Sequence, residues 1–163
     1  MPMVDPSEYP RYCKVSLLEK NMVGILIATH GSIGHALLET AIDLVGESIS
    51  CVSAVTIDDT MDRAQAWDSL VAGYDSVNGG DGVLIMVDMF GSTSSTLALS
   101  LLAEREVEVL TGVNLAMVLR ALIHRDQKKL DALAEDVLRY GQRNVTSSST
   151  WLSVTPAKGN ESE

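Results

Sequence analysis

The amino-acid sequence predicts an open, doubly wound α/β fold, a mostly parallel sheet with helices on both faces, and three observations carry that expectation. Four short segments are apolar and rich in β-branched residues. Segments of helical periodicity separate them. The two kinds alternate along the chain, which is the rhythm of parallel strands joined by helical crossovers.

The strands are expected at "VGILIA" (Val23 to Ala28), "CVSAVTI" (Cys51 to Ile57), "VLIMV" (Val83 to Val87) and "VEVL" (Val107 to Leu110). Three of them are almost uninterrupted in apolar character, as strands buried on both faces of a parallel sheet must be. In the first helix Leu37, Leu38, Ala41, Leu44 and Val45 share a face, and Gly46 can close it with a left-handed residue. Trp67, Leu70, Val71, Tyr74 and Val77 form the stripe of a second helix, stopped by "NGGDG". A shorter third helix carries Leu97, Ala98, Leu101 and Leu102. Asn114 can cap a fourth, with Leu115, Val118, Leu119 and Leu122, and Leu130, Leu133, Ala134, Val137 and Leu138 mark a fifth.

The chain of 163 residues is long enough for one well-buried core, expected over residues 22–143. Residues 1–21 form an N-terminal extension without a clear period, and Met22 rather than Met1 could be the natural start. Residues 144–163 are Ser- and Thr-rich and read as a mobile tail, with Trp151 and Leu152 as an anchor. Lys and Arg number 12 against 22 Asp and Glu, a net charge of −10, with no basic cluster to follow a phosphate backbone, so no nucleic acid is expected as partner. Cys13 and Cys51 form no CxxC pattern, so neither a disulfide framework nor a metal site is expected. No apolar run reaches the roughly 18 residues of a membrane span, and the first 21 residues lack the apolar centre of a signal peptide. A cytoplasmic location is the expectation.

In a sheet of order 2-1-3-4 the first and third strands are neighbours, and the crevice at their carboxyl ends is where ligands bind. His30 and Asp88 stand at those two ends. Adjacent strands lie about 4.8 Å apart, so the carboxylate can accept a hydrogen bond from one ring nitrogen and leave the other as a nucleophile. After Asp88 comes "MFGSTSST", in which Gly91 precedes the hydroxyl run Ser92, Thr93, Ser94, Ser95 and Thr96 at a helix start. Helix-start N–H groups and hydroxyls make an anion site, so a group carried on His30 and held there would be a phosphoryl group.

These residues resemble the IIA proteins of the mannose class of the bacterial sugar phosphotransferase system. "ILIATHG" is similar to the family's active-histidine strand end, "VLIMVDMFGST" to its second signature, and "VEVLTGVNLAMVLRAL" to its downstream strand and helix. The resemblance covers about Met22 to Gly141. It implies that His30 accepts a phosphoryl group from the phosphocarrier HPr and passes it to a IIB partner for sugar uptake, that Asp88 orients the ring, and that no cofactor is needed. Gly91, Ser92, Thr93 and Ser94 would receive the phosphate oxygens, with Thr93 at the family's hydroxyl position. An antiparallel edge strand exchanged in a homodimer, and indirect membrane association through the sugar permease components, are likewise implied by similarity. The loop departs from the family pattern D-x-x-G-G-[ST]-P-x-N: Ser92 replaces the second Gly, Ser94 the Pro and Thr96 the Asn.

Other readings stand beside this one. A regulatory IIA would use the same phosphohistidine to control a partner protein without transport. The phosphocarrier subunit of dihydroxyacetone kinase is similar in fold but lacks the "VDMFG" likeness. A serine hydrolase would use Ser32 of "HGSIG" as nucleophile, though that segment misses the first Gly of the nucleophile elbow and no later His completes a triad. His35 and His124 need no function, the latter meeting a helix dipole.

Overall fold

The computed structural model describes residues 22–46, 49–58 and 60–149. They form β1 (Gly24–Thr29), α1 (Ile33–Val45), β2 (Val52–Thr56), α2 (Arg63–Val77), β3 (Val83–Val87), α3 (Thr93–Leu101), β4 (Val107–Thr111), α4 (Leu115–His124) and α5 (Leu130–Arg143). The N-terminal extension, Cys13, Trp151 and Leu152 lie outside the described residues.

The four strands pair in the expected order β2-β1-β3-β4, and every pairing is parallel. The antiparallel edge strand implied by family resemblance is not among the described strands. Ile25 stands opposite Val52 on one side and Leu84 on the other, and Ala28 opposite Val55 and Val87. This register brings the carboxyl ends of β1, β2 and β3 level.

Alternation along each strand divides the core in two. Ile25, Ile27, Leu84 and Met86 face α1, α4 and α5 through Leu38, Ala41, Val118, Leu133 and Val137. Leu26, Ala28, Ile85 and Val87 face α2 and α3 through Leu70, Tyr74, Leu97 and Leu101. β1 and β3 are buried along their whole length, which explains why their sequences are apolar without alternation.

The helix ends follow local chemistry. Gly46 closes α1 with φ 73° and donates its N–H to the Ile42 carbonyl. Asp62 and Gln65 make a reciprocal capping box on α2. Asn114 caps α4 through Met117 N–H, as expected.

The expected helix faces need three corrections. Leu44 is 63% exposed, Leu102 47% and Leu138 38%. In α1 the sheet and α4 reach Leu38 and Ala41 but not the flank on which Leu44 sits. Leu102 is the C-cap of α3, where the chain turns away from the core. Leu138 follows buried Val137 by about 100° around α5, which turns it outward.

Candidate functional site

His30 begins the turn between β1 and α1, and Asp88 begins the turn between β3 and α3. The structure brings them together: the ring Nδ1 of His30 lies 2.8 Å from Asp88 Oδ2. The same oxygen accepts the backbone N–H of His30 at 3.0 Å. An aspartate one residue beyond β3 is therefore tied to both the main chain and the side chain at the tip of β1.

With Nδ1–H donating to the carboxylate, the neutral ring carries its lone pair on Nε2. The His30 side chain is 31% exposed and that of Asp88 16%, so the ring borders solvent while the carboxylate lies behind it. Burial alone would push the Asp88 carboxyl up. The hydrogen bonds from the His30 main chain and ring, the positive charge that the ring carries when protonated, and a smaller contribution from the Met89 N–H outweigh that and hold it below its ordinary value.

The second turn is built by serine. Ser92 is the N-cap of α3: its hydroxyl accepts from Ser95 N–H at 3.2 Å, donates to the Met89 carbonyl at 2.8 Å and lies 2.8 Å from Ser94 Oγ. Ser95 Oγ and Thr96 Oγ1 both donate to the Ser92 carbonyl, at 2.9 and 3.0 Å. The run expected to hold phosphate thus divides. Ser92, Ser94 and Ser95 are buried and bind the turn to itself, whereas Gly91 and Thr93 are exposed. Gly91 has φ 83° and open space around it, a conformation that suits glycine. First-turn N–H groups have no partner within a helix, and since Ser95 N–H is taken by its cap, those of Thr93 and Ser94 remain for an incoming anion.

A third strand end enters the site, and the sequence did not single it out. Gly31 N–H donates to Asp58 Oδ1 at 3.0 Å, and Thr56 Oγ1 donates to the Gly31 carbonyl at 2.8 Å. Ile57 N–H donates to the Thr29 carbonyl at 2.9 Å. Buried Thr29 accepts Gly34 N–H through Oγ1 at 2.7 Å, satisfying one of the first-turn donors of α1. The signal was present in "TIDD", a polar stretch ending β2, because β2 neighbours β1 in the expected strand order.

Ser32, the alternative nucleophile, is exposed, serves as the N-cap position of α1, and has no capping hydrogen bond from its side chain. No hydrogen bond joins it to a histidine among the described residues. Also among these residues, no group of three or more His, Cys, Asp or Glu side chains is arranged to hold a metal ion. No described helix is long and apolar enough to cross a membrane.

Known proteins share this architecture and sequence. The chain is 30% identical over 126 residues to the mannose-specific EIIAB component of the phosphotransferase system of Escherichia coli K12, a match covering 73% of this chain. The chain spans 38% of that relative's length. The mannose/sorbose-specific IIA subunit of Enterococcus faecalis superposes with a TM-score of 0.69 at 23% identity, covering 79% of this chain and 95% of that one. A IIA protein associated with the fucose utilization operon of Streptococcus pneumoniae gives 0.71 at 22%, covering 83% and 99%. Both solved structures share the fold. Residues 24–138 match the family model EIIA-man, described as the fructose IIA component of the phosphotransferase system, a span that contains both strand-end turns. The chain belongs to this family, the mannose-class IIA components of the phosphotransferase system.

Proposed function

We propose that this chain is a phosphocarrier that accepts a phosphoryl group from phospho-HPr on Nε2 of His30 and passes it to a IIB partner in sugar uptake. The observation that carries the reading is the 2.8 Å contact between His30 Nδ1 and Asp88 Oδ2 beside the N-terminus of α3. In the transfer, the bond from phosphorus to the donor breaks as the bond to Nε2 forms. The proton on Nδ1 stays between ring and carboxylate throughout, and Asp88 stabilises the positive character that the ring gains. The Nε2 lone pair is regenerated when the group leaves for the acceptor.

The transferring group carries negative charge, and neither turn contains Lys or Arg. The charge is met instead by the Thr93 and Ser94 N–H groups, by the Thr93 hydroxyl and by the dipole of α3. Gly91 permits the close backbone approach, and Ser92 and Ser94 act by holding the turn. Carriage between soluble partners fits a cytoplasmic protein associated with the membrane only through the permease components, and a homodimer fits the family resemblance.

The test is phosphorylation by phosphoenolpyruvate, enzyme I and HPr, followed by intact mass. The expected product gains one phosphoryl group that is lost in acid, and His30→Ala gains none. An unmodified native protein, with the same enzyme I and HPr active on another IIA, would overturn the reading.

A further inference from the structure

We infer that the groove between α2 and α3 is the docking site of the phosphoryl donor, a protein that seats an apolar side chain there and surrounds it with Lys or Arg. The inference rests on the phosphocarrier reading and deepens it by naming the surface that receives HPr.

The groove has a volume of about 480 Å³ and is lined by Arg63, Ala64, Trp67, Leu97 and Ser100. The first three belong to the opening turns of α2 and the last two to α3. Both helices begin beyond the carboxyl ends of their strands, at the edge of the sheet that carries His30. Thr93, Leu97 and Ser100 are spaced i, i+4 and i+7, so one stripe of α3 runs from the exposed Thr93 into the groove. At about 1.5 Å per residue the stripe takes about 6 Å to reach Leu97 and about 10 Å to reach Ser100. An interface of standard size covers about 800 Å² on each partner, a disc about 16 Å in radius. A donor of that footprint, seated on the two strand-end turns, extends over the groove.

The turn between Asp88 and α3 adds two exposed apolar side chains, Met89 at 59% and Phe90 at 76%. Large apolar groups exposed beside an apolar groove have the composition of an interface centre. The charge around them selects the partner. The turns after the four strands, residues 30–32, 57–62, 88–92 and 112–114, contain Asp58, Asp62 and Asp88 but no Lys or Arg. A phosphoryl group is itself negative, and these carboxylates oppose its approach. The dipole of α3 acts only near the helix end, so it holds the group on arrival without drawing it in. Cations on the donor offset the repulsion during approach and complement the aspartates once docked.

The experiment titrates unphosphorylated HPr into the native protein and into Ala64→Phe, Ser100→Phe and Asp62→Asn. Ala64 and Ser100 are exposed, so a phenyl ring at either fills the groove without entering the core, and thermal melts check the fold. Asn caps a helix as well as Asp does, so Asp62→Asn removes charge and keeps the start of α2. The kcat and KM for acceptance from phospho-HPr, and acceptance from the small donor phosphoramidate, are measured alongside. Each filled variant is expected to weaken HPr binding and raise KM about tenfold, with kcat and the phosphoramidate reaction unchanged. Asp62→Asn is expected to weaken binding about twofold, and native binding to weaken as salt is raised.

Filled variants that bind HPr to within about twofold of native would overturn the inference, as would native affinity that rises with salt. A native dimer lost on filling the groove, with HPr binding intact, would assign the groove to a second copy of the chain and overturn it too. A native protein that binds HPr through the groove yet takes no phosphoryl group from either donor would overturn the phosphocarrier reading alone, since unphosphorylated HPr tests docking without transfer.

Discussion

A single oxygen, Oδ2 of Asp88, accepts both the backbone N–H and the ring Nδ1 of His30, at 3.0 and 2.8 Å. The first bond fixes where the histidine leaves its strand, and the second fixes how its ring turns. Asp88→Asn keeps an acceptor of the same shape but removes the negative charge that, in the proposed transfer, supports the ring as phosphorus attaches. The expected result is phosphoryl acceptance slowed at least about tenfold, by analogy with the loss seen when a carboxylate orienting a catalytic histidine becomes an amide. Folding stability should fall by only about 1 kcal/mol, because the hydrogen bonds themselves can re-form. Intact-mass time courses and thermal melts measure the two effects separately.

Acid should weaken the fold through two carboxylates. Asp136 is held at a pKa of about 2 by the Arg120 guanidinium, with Lys128 adding to the effect. Its folded value lies below the ordinary 3.8, so its contribution is complete above that value and is lost as pH falls from 3.8 towards about 2. The pair lies near solvent, which limits the contribution to about 1 kcal/mol. Asp88 is also lowered and adds stability lost in the same direction. Asp136→Asn is expected to flatten the acid limb of a melting-temperature profile, while leaving phosphorylation unchanged.

The serines and Thr93 should separate stability from function. Ser92→Ala removes the N-cap of α3 and the bond to the Met89 carbonyl, and is expected to cost about 1 to 2 kcal/mol. Thr93→Ala, on an exposed side chain, should change stability by less than about 0.5 kcal/mol. Acceptance by Thr93→Ala should nevertheless slow several-fold. Chemical denaturation and phosphorylation rates on both variants check the division.

Two glycines in β1 and its turn should fail for different reasons. A Cβ on Gly24 would run into the Val77 carbonyl, a backbone group with little room to move. Gly24→Ala is therefore expected to cost about 2 to 3 kcal/mol or more. A Cβ on Gly31 meets open space, so Gly31→Ala pays only for positive φ, about 1 kcal/mol, and its main effect should be on transfer. Urea unfolding of the two variants distinguishes overlap from conformational strain.

Much of this was legible in the residues because burial on two faces leaves a simple mark. β3 occupies Val83–Val87 as read, and β1 and β4 each run one residue further, into Thr29 and Thr111, where parallel pairing continues past the last apolar side chain. A periodic stripe does not say how wide a strip of helix the sheet covers, and so Leu44 was placed inside. The approach of His30 and Asp88 followed from strand order alone. The inward turn of Ser92 and Ser94 did not, because a hydroxyl serves equally as cap or as ligand and only the helix phase decides. Asp58 escaped notice for a different reason: it grips a main-chain N–H, and a backbone donor leaves no residue type to recognise.

β1 has a hydrogen-bonded strand on each side and is buried at every position. The histidine therefore hangs from the last segment of the sheet that thermal fluctuation would release. Amides in this strand should exchange with deuterium only when the whole domain opens, whereas the Gly91 turn, on the surface, can exchange through local opening. The proposed passage of a phosphoryl group from one protein to another would be served by that division: the partners could mould the rim while the His30 nitrogen keeps its place.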